Sequence, residues 1–154
     1  CQANPLFTKN SLYFRKITHT EPSEATEDSR QYNFHIDKFY PNFKVWYFPY
    51  EVKETSGPLA IFKGSHQCTV EKMKWTHNNT INNKNFSRLH WNVHDYEQHL
   101  GELGMTNESQ VMFSVPQNTF VITDNRAFHR RTPATPGTQR LAFRAILDRS
   151  NILL

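Results

Sequence analysis

Short runs of aromatic and β-branched residues recur along this chain, and polar segments separate each run from the next. Seven of these runs have the length and composition of β-strands: residues 11–17, 30–37, 44–50, 58–64, 110–115, 118–124 and 139–147. Pro116 and Asn118 favour a turn between two of these runs, so we expect residues 110–115 and 118–124 to form a hairpin. So many short strands predict an all-β fold, either a sandwich or a jelly-roll barrel.

One long segment breaks this pattern. Residues 67–109 are polar and rich in Asn and His, and within them residues 84–104 have apolar side chains at helical spacing and end in glycines. We therefore expect one helix inside a long insertion. Long loops on rigid scaffolds often carry function, so the insertion is expected to act as a lid that selects the substrate. No repeat or linker divides the chain, and residues 1–154 are interpreted as a single domain.

Composition and charge exclude several functions. The net charge is +4, but the basic residues are scattered and no run exceeds the pair Arg130–Arg131, which argues against a nucleic-acid-binding protein. No apolar run approaches the roughly 18 residues of a membrane span. Cys1 and Cys68 are too few for a disulfide framework, so we expect a reducing compartment and a cytoplasmic location.

The triplet His35–Ile36–Asp37 is a candidate metal-binding motif. On a β-strand, residues two apart point to the same face, so His35 and Asp37 would project together. A histidine from another strand would complete a set of two histidines and one carboxylate, which suits a non-haem Fe(II) oxygenase and leaves positions for a 2-oxoacid and O2. His129 is the best candidate for that third ligand. The triplet could also be an ordinary hydrogen-bonded pair on a half-buried strand.

The last predicted strand carries a candidate residue for binding a carboxylate. Arg140 lies eleven residues after His129 on the last predicted strand, where a guanidinium could bind the far carboxylate of a 2-oxoacid in a bidentate pair. Arg140 could instead form a plain salt bridge, since Arg144 lies on the same strand. Arg130 and Arg131 adjoin His129. Either both face solvent, or one contacts an anionic substrate, and the sequence leaves both readings open.

Three segments carry a resemblance to a known family. The segments HID (35–37), VWYFPYEVKETSGPLAIFKGSH (45–66) and FHRRTPATPGTQR (128–140) resemble, in order and spacing, the phytanoyl-CoA dioxygenase family of iron- and 2-oxoglutarate-dependent oxygenases. The resemblance covers roughly residues 30–147. It implies a double-stranded β-helix, the cupin-like jelly-roll barrel.

The resemblance also implies a site and an activity. His35, Asp37 and His129 would bind iron, Arg140 would bind the 5-carboxylate of 2-oxoglutarate, and Trp46 matches a position where some members place a tryptophan against this co-substrate. The implied reaction hydroxylates a small-molecule substrate with O2 and converts 2-oxoglutarate to succinate. Related halogenases replace the carboxylate with a small residue, so Asp37 disfavours halogenation. The alternative is a cupin-like jelly-roll module that binds a metabolite without turnover.

The chain departs from the family pattern at several positions. The corner Lys63–His66 lacks the usual proline, and Arg131 stands where a small residue is usual. Only 34 residues precede His35, fewer than in the family, so we expect a truncated N-terminus.

A second histidine pair also needs an interpretation. His90 and His94 are four apart on the predicted helix, a zinc-binding spacing, but Trp91 replaces the glutamate of the HExxH motif. We therefore interpret this pair as solvated or facing the lid.

Overall fold

The structure is a computed structural model that describes residues 12–18, 29–82, 89–90 and 96–148. Within these residues the chain forms nine strands: β1 (Leu12–Thr18), β2 (His35–Ile36), β3 (Asn42–Phe48), β4 (Leu59–Phe62), β5 (Leu89–His90), β6 (Gln110–Met112), β7 (Thr119–Asp124), β8 (His129–Arg131) and β9 (Gln139–Asp148). Two helices, α1 (Val70–Asn82) and α2 (Tyr96–Glu102), flank β5 in the chain. Short 3-10 turns span Ser29–Tyr32 and Asn107–Ser109.

The strands form two antiparallel sheets. One has four strands in the order β1-β9-β3-β7, and the other has five in the order β5-β2-β8-β4-β6. The prediction of a mainly β fold is therefore confirmed. The predicted strand over residues 30–37 is shorter than expected, because a 3-10 turn occupies its first part and only His35–Ile36 pairs with neighbouring strands.

The predicted hairpin between residues 110–115 and 118–124 is wrong. β6 pairs with β4 in the five-stranded sheet, whereas β7 pairs with β3 in the four-stranded sheet. The turn itself is present: Asn118 has φ of 60°, and the Thr119 hydroxyl donates to the Pro116 carbonyl at 2.7 Å. The turn carries the chain from one sheet to the other instead of reversing it within one sheet.

The prediction of one helix in residues 67–109 is also wrong. This segment contains α1, α2 and the strand β5, so His90 lies on a strand opposite His35 and not on a helix. His94 lies outside the described residues. The edge of β2 accepts Leu89–His90 as a neighbour, and this long-range pairing overrides the local helical spacing.

Helix α1 has a capping signal that the apolar spacing did not reveal. The Thr69 side-chain oxygen accepts the Lys72 backbone N–H at 3.1 Å, and Glu71 lies in the first turn. The helix is rich in Asn and buries mainly Trp75, so it has no broad apolar stripe.

Two apolar clusters define the layers of the molecule. One lies between the sheets and includes Phe48, Leu59 and Val121. The other joins the helices to the opposite face of the five-stranded sheet, where Trp75 packs edge-on against Phe128 with ring centroids 5.1 Å apart. The five-stranded sheet is therefore covered on both faces, by the four-stranded sheet on one side and by α1 and α2 on the other. Among the described residues, no helix has the length and apolar character needed to cross a membrane.

Candidate metal centre

His35, Asp37 and His129 converge on one point. β2 and β8 are antiparallel neighbours in which His35 lies directly opposite His129, and the two ring centroids are 4.4 Å apart. Asp37 follows β2, and its carboxylate oxygens lie 3.7 Å from His35 Nε2 and 3.5 Å from His129 Nε2. One ligand atom from each residue lies within 4.8 Å of the others. The three residues singled out in the sequence therefore form a group that could hold a metal ion.

The backbone fixes the orientation of both imidazoles. His35 Nδ1 lies 2.8 Å from the Asn33 carbonyl oxygen, and His129 Nδ1 lies 3.0 Å from the Ala127 carbonyl oxygen. A carbonyl only accepts hydrogen bonds, so each Nδ1 donates its N–H to the backbone, and each Nε2 faces Asp37. Metal-binding histidines are commonly held in this way. The candidate donor set is thus two imidazoles and one carboxylate, which fits a divalent transition metal.

One short loop positions two of the three candidate ligands. The Asn125 carbonyl accepts the backbone N–H groups of Asp37 and Lys38 at 3.3 and 3.4 Å, and the Ala127 carbonyl two residues later accepts His129 Nδ1. Asn125 itself is buried and is held to Asn42 through both its backbone and its side chain. The loop between β7 and β8 therefore sets the spacing between the carboxylate and one imidazole. No sequence pattern indicated this role for Asn125.

His129 and Lys44 together keep Asp37 ionised. The Lys44 ammonium is buried and forms a close ion pair with Asp37 Oδ2. Burial by itself raises the pKa of Asp37, but the hydrogen bond from His129 and the positive charge of Lys44 together hold that pKa far below its usual value. Asp37 is therefore ionised throughout the physiological pH range. Lys44 was not identified from the sequence, although it faces the same side of β3 as Trp46.

The candidate ligands form part of the wall of a cavity between the two sheets. The cavity has a volume of about 110 Å³ and is lined by Gln31, His35, Asp37, Lys44, Trp46, Leu59, His129, Arg130, Arg131, Arg140 and Arg144. The five-stranded sheet contributes both imidazoles, and the four-stranded sheet contributes Trp46 and Arg140. All five residues that the sequence nominated for the site thus lie around one cavity.

Trp46 and Arg140 are held differently in this cavity. Arg140 is buried and donates a hydrogen bond from Nη1 to the Gly57 carbonyl. Trp46 is also buried, and among the described residues its indole Nε1–H has no hydrogen-bond acceptor. Buried indole N–H groups usually have a hydrogen-bond partner, so Trp46 is a candidate to donate to a ligand in the cavity.

Hydrogen bonds from the helical layer stabilise the loop between β7 and β8. The Ser65 hydroxyl donates to the Phe62 carbonyl at 2.7 Å and accepts the Phe128 N–H at 2.9 Å. The Lys72 ammonium of α1 donates to the Ser65 carbonyl and, at 2.7 Å, to the Arg126 carbonyl. These bonds tie the turn after β4 and the first turns of α1 to the residues immediately before His129.

Comparisons with known proteins add little to this geometry. No protein-family model matches the chain, and no curated protein matches it. Among solved structures, the chain is similar to the crystal structure of EvdO2 from Micromonospora carbonacea var. aurantiaca, with a TM-score of 0.46 and 16% sequence identity. The match covers 90% of this chain and 52% of that chain, so this chain spans about half the length of that protein. A likeness of this size assigns no activity, and the functional argument rests on the site itself.

Proposed function

We propose that this protein is an Fe(II)- and 2-oxoglutarate-dependent oxygenase that hydroxylates a small molecule. The observation that carries the proposal is the donor set of His35, Asp37 and His129, whose ligand atoms lie within 4.8 Å of one another at the wall of a basic cavity. Two histidines and one carboxylate leave coordination positions open, as non-haem iron oxygenases require. Two antiparallel sheets that face each other across this group support a jelly-roll barrel as the finer description of the fold.

Arg140 and Trp46 are the residues that would hold 2-oxoglutarate. The buried Arg140 lines the cavity and would bind the distal carboxylate through its guanidinium, and Trp46 Nε1 offers a donor that has no acceptor among the described residues. When bound, iron and 2-oxoglutarate supply the oxidising chemistry, in which O2 is consumed, 2-oxoglutarate is decarboxylated to succinate and a hydroxyl group is delivered to the substrate.

The remaining residues prepare the site for this chemistry. His129 and Lys44 keep Asp37 ionised, so the carboxylate is ready to bind a cation without first losing a proton. The Asn33 and Ala127 carbonyls hold both imidazole rings so that their Nε2 atoms face Asp37. The apolar cluster between the sheets, which includes Phe48 and Val121, limits the access of water to the cavity.

The lid role of residues 67–109 stays a prediction. Helices α1 and α2 pack on the face of the five-stranded sheet that points away from the cavity, and β5 at the edge of that sheet adjoins β2. The segments 83–88 and 91–95, which flank β5, lie outside the described residues.

An anaerobic titration tests the proposed function. Fe(II) and 2-oxoglutarate added together should produce a visible charge-transfer band with the wild-type protein, and O2 should then release succinate when a substrate is present. His129→Ala should abolish the band, whereas His77→Ala, which removes an exposed histidine of α1, should retain it. A wild-type protein that stays colourless with both additions contradicts the proposal.

One observation favours a second function, a jelly-roll module that binds a metabolite without turnover. The buried ammonium of Lys44 already neutralises Asp37, so the site has a countercharge without any metal ion. Calorimetry separates the two functions. A non-catalytic module should bind 2-oxoglutarate or a related anion equally well with and without a divalent metal, whereas the oxygenase should need the metal for tight binding.

A further inference from the structure

A groove runs along helix α1, outside the metal centre. It has a volume of about 450 Å³, which falls within the range of about 300–1,000 Å³ that is usual for small-molecule sites. Ile36 contributes to its lining. Because Ile36 and His35 are neighbours on a strand and point to opposite sides, the groove lies on the helical side of the five-stranded sheet and the metal centre lies on the other side. The groove is therefore a separate candidate site.

One wall of the groove is a single face of α1. Four lining residues recur at the spacing of three and four that places side chains on one face of a helix: Met73, Thr76, His77 and Thr80. Phe39, from the segment between β2 and β3, also lines the groove. Phe39 is 54% exposed and Met73 is 51% exposed. Large apolar side chains that are this exposed beside a cavity are typical of a binding surface, so the groove offers apolar contacts to a ligand.

The charged residues that line the groove are all basic. None of the described lining residues is Asp or Glu, whereas Lys38, Lys72 and Arg126 carry positive charges. Arg126 is neutralised, since its guanidinium pairs with Asp124 at 2.6 Å. Lys38 is exposed, and its ammonium lies 5.5 Å from the centre of the Tyr40 ring. No carboxylate of the described residues lies within ion-pair distance of Lys38 or Lys72, so these two charges are the ones that a ligand can neutralise.

Two of the three N–H donors of the Lys72 ammonium bind backbone carbonyls. These are the carbonyls of Ser65 and Arg126, and the ammonium also lies 5.5 Å from the centre of the Phe128 ring. Among the described residues, no oxygen atom accepts the third N–H. Burial and the positive charge of Arg126 lower the pKa of Lys72 to about 8, and nearby negative charges offset this only in part. An anion in the groove would therefore stabilise the charged form of Lys72.

We propose that this groove binds a small amphipathic carboxylate. The carboxylate group pairs with Lys72 and Lys38, and the apolar tail lies against Met73. A single half-buried ammonium matches a group with one negative charge, as a carboxylate has at neutral pH. Lys72 and Thr80 are separated by about 12 Å of helix, so a tail of moderate length can extend from the charged end along α1. The inference does not depend on the proposed oxygenase function, because the groove and the metal cavity share no described lining residue.

Calorimetric titration with three probes separates the contributions of charge and tail. Octanoate has both parts, octan-1-ol has the tail without the charge, and acetate has the charge without the tail. Lys72→Gln and Lys38→Gln remove the proposed charges, and Lys74→Gln is their matched control, at an exposed lysine of α1 that does not line the groove. Met73→Ser removes an apolar contact. Its matched control is Met112→Ser, at a methionine 46% exposed on β6 and outside the groove.

Wild type should bind octanoate at least about tenfold more tightly than octan-1-ol and show no binding of acetate. Lys72→Gln should weaken octanoate binding about tenfold, and Lys38→Gln and Met73→Ser about threefold each. Lys74→Gln and Met112→Ser should stay within about twofold of wild type. Lys38→Gln and Met73→Ser alter exposed side chains, so they decide the test if Lys72→Gln does not fold. Saturating Zn(II) and 2-oxoglutarate should leave the octanoate affinity unchanged.

Four results would overturn the inference. These are equal affinities for octanoate and octan-1-ol, losses in the control variants equal to those in the groove variants, displacement of octanoate by 2-oxoglutarate with Zn(II), and a wild-type protein that does not bind octanoate. In the last case sedimentation identifies another occupant. Co-sedimentation with phosphatidylcholine vesicles would assign the groove to a membrane surface, and a dimer that Met73→Ser dissociates would assign it to a second copy of the chain.

Discussion

The two faces of the five-stranded sheet are both buried, but they have opposite chemistry. One face packs on α1 and α2 through an apolar cluster that contains Trp75 and Phe128. The other face presents His35 and His129 to a cavity whose lining is mostly polar and basic. Because neighbouring residues of a strand point to opposite sides, Phe128 and His129 are adjacent in the chain and yet belong to different environments.

The helical face of the sheet therefore stabilises the fold, whereas the cavity face carries the candidate site. Burial of aromatic side chains on the helical side contributes about 1.5–3 kcal/mol for each ring. Burial of imidazoles and guanidinium groups on the other side costs free energy unless they are paired or bind a ligand. A small protein has only about 5–15 kcal/mol of net stability, so a polar face of this kind needs an apolar face that offsets its cost. The helical layer supplies that stabilisation.

The largest expected effect is the loss of an aromatic ring on the helical side. Phe128→Ala removes a fully buried ring that packs 5.1 Å from Trp75, and it should lower the free energy of unfolding by about 3–5 kcal/mol. Denaturant unfolding measures this loss. The control Phe120→Ala, at a residue 66% exposed on the four-stranded sheet, should cost less than about 1 kcal/mol. If both variants lose the same free energy of unfolding, the helical face of the five-stranded sheet is no more a core than the exposed surface is.

The second prediction concerns the cavity face, and the quantity measured is metal affinity. His35→Ala should reduce the affinity for Fe(II) or Co(II) by more than the 10–100-fold loss typical for removal of an outer partner of a metal ligand. The neighbouring change Ile36→Val, on the helical face, should leave metal affinity unchanged and cost about 0.5–1.5 kcal/mol of stability. Metal titration and unfolding of both variants would show whether the two faces are independent.

The third prediction concerns the affinity of the cavity for 2-oxoglutarate. Arg140→Lys keeps the positive charge but loses the planar pair of donors, so 2-oxoglutarate should bind about tenfold more weakly while metal affinity is unchanged. The control Arg126→Lys alters an arginine that pairs with Asp124 at 2.6 Å outside the cavity, and it should leave 2-oxoglutarate binding as in wild type. An unchanged affinity in Arg140→Lys would assign the co-substrate to another residue.

The last prediction tests the connection between the faces, where the effect on metal affinity should be the smallest of all. Ser65→Ala leaves the buried Phe128 N–H and the Phe62 carbonyl each without the hydroxyl partner, which should cost about 1–3 kcal/mol. Because Phe128 precedes His129, metal affinity should also fall, by a few-fold at most. Thr80→Ala, at an exposed hydroxyl on α1, should change neither quantity. A Ser65 variant with normal stability would mean that the turn after β4 does not stabilise the loop between β7 and β8.

Most of the strands could be predicted because their signal is local. In Asn42–Phe48 the side chains alternate between buried and less buried positions, and this period of two can be read without knowing the neighbours. The helices could not be predicted as well. Helix α1 is rich in Asn and buries essentially one ring, and the helical spacing around His90 was overridden by the pairing of β5 with β2.

The predicted hairpin failed for a related reason. The turn at Pro116–Asn118 has the expected local chemistry, with a positive φ at Asn118. Turn residues specify that the chain bends there, but they do not specify whether the next strand joins the same sheet. That choice depends on which strands have an edge available for pairing. Here β6 pairs with β4 and β7 pairs with β3, and these two partners lie in different sheets.

By itself, the sequence determined a mainly β chain and nominated His35, Asp37, His129, Arg140 and Trp46 as candidates for one site. The spacing of two in His35–Asp37 is a property of any strand, so these two could be read locally. Only the tertiary structure decided that His129 lies opposite His35, that two carbonyls fix both imidazoles, and that Lys44 and Arg131 face the same cavity. Contacts between strands far apart in the chain depend on sheet order, and residue spacing does not encode that order.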